Sequence, residues 1–391
     1  MENEIPIINT VDHLGWRDNY KEFIPYSKTL QLDYPEILEG YSESGTLEDW
    51  CNSISKYRGN HIFRFILSSA FTAPLIPLLN ERPFMVYNFA PSRSGKTALL
   101  NVAISAFGNP KKLITTFNST AVGLERLLQI NDNLPVAVDE KQIADTQRSI
   151  EKMVFMVSNQ EGRVRGNKYG GLAPQTKFSN VVLSTGEEPL SQTASTTGVS
   201  TRCLEIEGSA FENENQASNM YKITSKYYGT AGRAFIKELI SNYSDNNYQE
   251  LENKLEELKN TLEEKSDSNV SSYISAVAIV TLADILVSRY IFNEENEELS
   301  IEVGIQILNS YIIANHHRFS KYILPTLQES PEEDVTNYAS VPLGVYENGT
   351  YYMFIHEVEN FMNKNKFNYR KMMKEFAQRG YITPSRREDG S

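Results

Sequence analysis

Residues 84–100 read FMVYNFAPSRSGKTALL: an apolar run, a tight loop, then Lys96-Thr97 opening a second apolar run. Strand, loop and helix in that order form the layout of a phosphate-binding loop, and each residue type has a task in it. Backbone N–H groups of Ser92, Arg93, Ser94 and Gly95 face a polyphosphate. Those of Lys96, Thr97 and Ala98 at the helix start do the same, where the helix dipole favours negative charge. Lys96 brings a positive charge to the β- and γ-phosphates, and the Thr97 hydroxyl is a ligand for Mg²⁺. Position 90 is alanine where the pattern G-x-x-x-x-G-K-[ST] has its first glycine. If that position needs positive φ, alanine costs roughly 1 kcal/mol more than glycine.

A second signal lies about 40 residues after Lys96, where LPVAVDE at 134–140 is an apolar strand ending in two acids. Asp139 at a strand's C-terminal edge, beside the loop strand, holds Mg²⁺ through its water shell, and Glu140 polarises an attacking water. A third polar edge follows a strand at 178–183, which ends in Ser184-Thr185-Gly186-Glu187. Thr185 sits near the γ-phosphate if this strand lies between the other two; otherwise Ser-Thr-Gly is a turn. Arg202, just before a last short strand at 203–206, has the placement of an arginine finger or of a simple ion-pair residue.

These residues need an α/β scaffold to position them. A parallel sheet flanked by helices is expected over 46–210, with a helical lead-in at 46–80 that packs beside a nucleotide base or simply in the core. Residues 1–45 read as a small β element or linker, and 211–330 as a helical lid. Its segment 248–267 is dense in Glu and Lys at helical spacing. Residues 335–391 have the order of a small winged helix: hairpin at 344–354, helices at 356–363 and 369–379, then a strand whose wing is truncated. Between them, GRVRGNKYGG at 162–171 alternates around a Gly-Asn-Lys turn, and 161–177 carries four basic residues and one acid. A projecting basic hairpin with Arg163, Arg165 and Lys168 suits phosphate contacts on nucleic acid, or is merely a solvated surface hairpin.

The 391 residues leave room for about two or three domains. The net charge of −12 excludes a global basic footprint, so any nucleic-acid contact rests on local clusters. Two cysteines far apart, Cys51 and Cys203, indicate a reducing compartment. The polar N-terminus lacks a signal peptide's apolar core. The longest apolar helix, 274–287, is read as too short for a membrane span and contains Asp284. A soluble cytoplasmic protein with no membrane partner is expected.

The series Lys96-Thr97, Asp139-Glu140, Thr185, Arg202 resembles that of AAA+ ATPases. The basic hairpin ahead of the 178–183 strand looks like the pre-sensor-1 hairpin of MCM-type helicases, and Ser200-Thr201-Arg202 is similar to their Ser-Arg-Phe finger motif. The runs SGKTALLNVAISAFGNP, FNSTAVGLE, LPVAVDE, STGEEPL and YYGTAGRAF resemble one family as a whole. It comprises the MCM-like replicative helicases of staphylococcal cassette chromosome elements (the Cch helicases) and their relatives in phages and integrative elements. The resemblance spans roughly residues 50–382.

It implies an AAA+ core with helical lid and winged helix, the cofactors ATP and Mg²⁺, and a homo-hexameric ring with single-stranded DNA in its pore. Lys96 and Thr97 would bind phosphates and metal, Asp139 would be the metal ligand and Glu140 the catalytic base. Thr185 matches the sensor 1 position, where many relatives use Asn. Arg202 would act on ATP held by the neighbouring subunit, Arg233 would be a sensor 2 arginine, and Arg163, Arg165 and Lys168 would face DNA. Two departures stand out. Only about 14 residues separate Thr120 from Leu134, leaving no room for the second MCM hairpin. No N-terminal DNA-binding collar is visible in 1–45. The function implied is an ATP-dependent DNA helicase or translocase in replication of a mobile element. The alternative is an ATP-switched replication initiator or DNA-remodelling module that does not unwind. A protein-remodelling machine would need an aromatic pore loop, for which Tyr169-Gly170 is the nearest match.

Overall fold

Five parallel strands carry the phosphate loop in the computed structural model. It describes residues 9–117, 120–139, 146–160, 171, 177–187, 190, 202–243, 248–266, 268–312, 344–347, 350–353 and a few positions between 355 and 377. The chain divides into two units, one of residues 1–189 with 198–313, the other of 190–197 with 314–391.

The first unit begins with a small β element. Strands β1 (Asn9–Val11) and β4 (Leu30–Leu32) pair in parallel, and β2 (Gly15–Arg17) and β3 (Glu22–Ile24) pair antiparallel. Its apolar residues Leu14, Trp16, Phe23 and Ile24 are buried in the same core as the rest of the unit. Gly15 is obligatory here: its φ is +95°, and a Cβ would stand 2.4 Å from Asp132 O. Helices α1 (Leu47–Ile54), α2 (His61–Thr72) and α3 (Leu75–Leu78) follow. Asn60 caps α2 through its side chain, and eleven of the twelve α2 residues are buried. The helical lead-in is therefore a core element, its middle helix packed against the sheet and its flanking helices.

Then come β5 (Phe84–Phe89), α4 (Lys96–Ser105), α5 (Pro110–Leu113), β6 (Ile114–Thr116), α6 (Ala121–Ile130), β7 (Pro135–Asp139), α7 (Thr146–Asn159), β8 (Val181–Gly186) and β9 (Cys203–Glu207). The strand order is β6-β7-β8-β5-β9, all parallel. Every residue of β5 and β8 is buried, as a parallel strand covered on both faces requires. Strand β8 starts later and runs further than its sequence indicates. Ser184, Thr185 and Gly186 are strand, not turn, because Phe84–Phe89 pairs with all six positions through Gly186. The buried Ser184 hydroxyl is satisfied by Val138 O at 2.7 Å.

After the sheet come α8 (Glu214–Lys226), α9 (Thr230–Tyr243), α10 (Tyr248–Lys265), α11 (Ile274–Tyr290) and α12 (Glu297–Gln306), the last running into a π-helical turn at Ile307–Tyr311. Thus α10 buries Leu251, Leu255, Leu258 and Leu262 and leaves its charges outside. With its 3-10 lead-in, α11 forms a 21-residue helix over Val270–Tyr290, long and apolar enough to cross a membrane. This corrects the shorter length read from sequence. The helix is mostly buried within the protein, so its apolarity serves the core.

One polar network is embedded in that core. Arg64 Nε donates to Asp284 Oδ2 at 2.6 Å and Ser68 Oγ donates to Asp284 Oδ1 at 2.8 Å. Arg64 Nη2 reaches Ser288 and Ser300, tying α2 to α11 and α12. Arg58 joins through Ser288 and Glu294, with its guanidinium 3.9 Å from the Phe292 ring centre. Burial pushes the Arg58 guanidinium below its ordinary value, opposed chiefly by Asp284.

In the second unit, β10 (Gly344–Glu347) and β11 (Thr350–Met353) form an antiparallel hairpin, with Glu347 opposite Thr350. Most of the expected winged helix lies outside the described residues.

Substituting Asp284 by Ala leaves Arg64 charged and buried without its counter-ion, so the fold should lose about 3–5 kcal/mol. Chemical denaturation reads this as a lower midpoint; an unchanged midpoint would show the network carries no net stability.

Candidate active site

The loop between β5 and α4 is shaped by two left-handed residues, Arg93 at φ 65° and Gly95 at φ 87°. Ala90 does not adopt positive φ. It is buried and its N–H donates to Gly186 O at 3.2 Å, extending the β5–β8 pairing by one residue. The cost allowed for an alanine at this position is therefore not incurred. Gly95 is held by two constraints together. A Cβ there would lie 2.5 Å from Phe211 Cδ2 and 2.8 Å from Ala217 Cβ, at a φ that side chains rarely adopt. The next clamp is polar: Ser209 Oγ lies 2.7 Å from Ser94 O and accepts the Phe211 N–H at 3.1 Å. The chain leaving β9 and the start of α8 thus grip the loop from outside.

Lys96 folds back over its own loop. Its Nζ donates to Ala90 O at 2.7 Å and Pro91 O at 2.9 Å, with Ser94 Oγ at 3.4 Å. These three partners are neutral acceptors. Ala98, one turn inside, is fully buried in α4.

Three strand and helix ends meet at Asp139. Thr185 Oγ1 donates to Asp139 Oδ1 at 2.5 Å, and Thr97 Oγ1 lies 3.3 Å from the same oxygen. From α8, the Tyr221 hydroxyl stands near Thr97 and Asp139; partial burial, then the Asp139 charge, push this phenol above its ordinary value, and Thr97 opposes the shift. Two hydroxyls and a carboxylate, all hard oxygen donors, suit Mg²⁺, which keeps several waters and takes few protein ligands. Among the described residues no group of three or more His, Cys, Asp or Glu converges. A metal here would therefore rely on a polyphosphate for its remaining ligands.

Beside this cluster lies a cavity of about 440 Å³. The loop contributes Ser92, Arg93, Gly95, Lys96 and Thr97 to its wall, and β8 contributes Thr185, Gly186 and Glu187. The third wall is α8, with Glu214, Ser218 and Tyr221. Their i, i+4, i+7 spacing places them on one helical face. Sequence reading missed these three and Glu187, because the same spacing occurs on any solvated helix.

Arg202 and Arg233 do not line the cavity. Arg202 precedes β9, and its carbonyl accepts Met85 N–H at 3.2 Å, at the N-terminal end of β5. The phosphate loop is at the other end of that strand, roughly 16 Å away along the backbone. The Arg202 guanidinium lies 5.4 Å from the Phe155 ring centre. Arg233 pairs with Glu43 and sits 5.3 Å from the Tyr26 ring centre. Glu140, Arg163, Arg165 and Lys168 lie outside the described residues.

A protein-family model described as a domain of unknown function (DUF927) matches residues 1–177. That span takes in the N-terminal β element together with the phosphate loop and Asp139. Among curated proteins none matches this chain in sequence. A solved structure described as SCCmec type IV Cch, an active helicase, aligns with TM-score 0.64 at 17% identity, over 94% of this chain and 75% of its own. The two share a fold. A second, the apo C-terminal region of NrS-1, aligns over 72% of this chain and 81% of its own at 10% identity, with TM-score 0.28, too low to bear on the fold.

Gly95→Ala should destabilise the protein by about 2–4 kcal/mol, the sum of overpacking against Phe211 and Ala217 and a strained φ. Thermal melting tests this; a wild-type Tm would mean that the loop and α8 are not clamped together.

Proposed function

We propose that this chain is an ATP-driven DNA motor of AAA+ type, a helicase or translocase working as a ring. The observation that carries the reading is the meeting of Thr97, Thr185 and Asp139 Oδ1 beside a phosphate-loop lysine. It is supported by a fold shared with a protein described as an active helicase.

Each residue's task follows from its position. On binding a nucleoside triphosphate, Lys96 exchanges two neutral carbonyls for charged phosphate oxygens, a stronger pairing. Asp139 and Thr97 would hold Mg²⁺, which when bound would supply positive charge against the transferring phosphoryl group. Thr185, already bonded to Asp139, orients that carboxylate and stands next to the outer phosphate. Glu140 follows Asp139 in sequence and is assigned as the base that orients the attacking water. Arg202 sits at the far end of the sheet from its own loop, so it is assigned to the nucleotide of a neighbouring subunit. On this reading the active site is complete only in an oligomer, for which we propose a hexamer. Arg163, Arg165 and Lys168 would track the phosphates of single-stranded DNA in the central pore, and residues 335–391 would form a winged helix.

Lys96→Ala should lower nucleotide affinity by about 10²-fold, measured by calorimetric titration. Glu140→Gln should retain binding and lose about 10²–10⁴-fold in turnover; normal ATPase activity in this variant would remove the assignment. Lys168→Ala should keep basal ATPase activity and lower DNA affinity and strand displacement together. Hydrolysis by wild-type protein with no strand displacement would assign the chain instead to the ATP-switched, non-unwinding class.

A further inference from the structure

The cavity wall holds two cations in different states. Lys96 is engaged by its own loop's carbonyls. Arg93 also lines the cavity and is exposed, and among the described residues its guanidinium makes no hydrogen bond, ion pair or ring contact. Its backbone is the second anomaly. At φ 65° it occupies the left-handed region, which favours Gly, Asn and Asp. Among the described residues, eight with side chains have positive φ, and five of these are Asn or Asp. Tyr20, another exception, is explained by packing on Trp16 and Tyr248 and a hydrogen bond to Pro77 O. No comparable contact holds Arg93, so the fold itself does not ask for arginine at this position. Glycine would satisfy the backbone better.

We propose that the Arg93 guanidinium is a second cationic contact to the polyphosphate, supplied by the loop to its own subunit's nucleotide. This rests on reading the cavity as the nucleotide site. A guanidinium offers a planar fork that pairs with two phosphate oxygens at once, which the compact ammonium of Lys96 does not. The cavity also carries Glu214, a carboxylate that repels an incoming polyanion. A free cation at its wall offsets that repulsion before Lys96 is released from Ala90 and Pro91. Arg93 thus captures and orients the anion, while Lys96 holds it deeper in the loop.

Titration of the full-length chain with a non-hydrolysable ATP analogue and Mg²⁺ tests this, comparing wild type, Arg93→Gly, Arg93→Ala and Lys96→Ala at two salt concentrations. Arg93→Gly relieves the backbone and should melt at or above the wild-type temperature, so weaker binding cannot be ascribed to unfolding. Both Arg93 variants should lose about tenfold or more in affinity, and their binding should depend less on salt than that of wild type. If both bind within about twofold of wild type while Lys96→Ala binds about 10²-fold more weakly, Arg93 has no such role and the nucleotide site stands. If wild type itself binds no analogue, the site assignment and this proposal both fall.

Discussion

The register of three parallel strands is the constraint on which the site depends. Strand β8 lies between β5 and β7, with Thr185 opposite Asn88 and Ser184 opposite Val138. That pairing puts Thr185 within hydrogen-bond reach of Asp139, the last residue of β7. A slip of one residue would turn Thr185 to the other face of the sheet and remove it from Asp139. The level is fixed on the other side too. Asn88 Nδ2 reaches Ile206 O and Gly208 O, and Gly208 N donates to Phe89 O, tying the end of β9 to the end of β5. The polar ends of four strands are therefore held together before any ligand arrives.

Rigidity and strain are distributed unevenly over the unit. The helices behind the sheet are buried almost completely and bound by a two-arginine, one-aspartate network. The phosphate loop has two left-handed residues, one of them a bulky arginine. It is held in shape by hydrogen bonds of its own and from outside by Phe211, Ala217 and Ser209. Such an arrangement lets a firm scaffold support a loop whose donors are committed to weak partners and are available for stronger ones. Lys96 on neutral carbonyls is the clearest case.

Helix α8 also alters the view of where the site ends. The loop after β5 and the end of β8 account for two walls of the cavity, and α8 supplies the third through Glu214, Ser218 and Tyr221. The contact of Tyr221 with Thr97 couples this helix to the residues that meet at Asp139. The helix that follows the last strand is thus part of the site and not a separate cover over it.

The sequence by itself determined the local placement of the candidate residues. Gly95-Lys96-Thr97 at a helix start after one apolar strand, and Asp139 at the end of another, could be placed because their positions follow from pattern along one strand and one helix start. Short strands at Phe84–Phe89 and Pro135–Asp139 were legible for the same reason. The length of α11 was not, because the apolar pattern of a core helix does not mark where its 3-10 lead-in begins. Nor was the state of Ser184-Thr185-Gly186, since a polar triplet reads as a turn unless a neighbouring strand pairs with it. Only the tertiary structure decided which strand lies between which, that Ala90 is spared positive φ, and that Tyr221 stands beside Thr97. It also decided that Arg202 lies at the opposite end of the sheet from Lys96. Those facts depend on contacts between residues far apart in the chain, where the energetics of burial and pairing, and not local propensity, choose the neighbour.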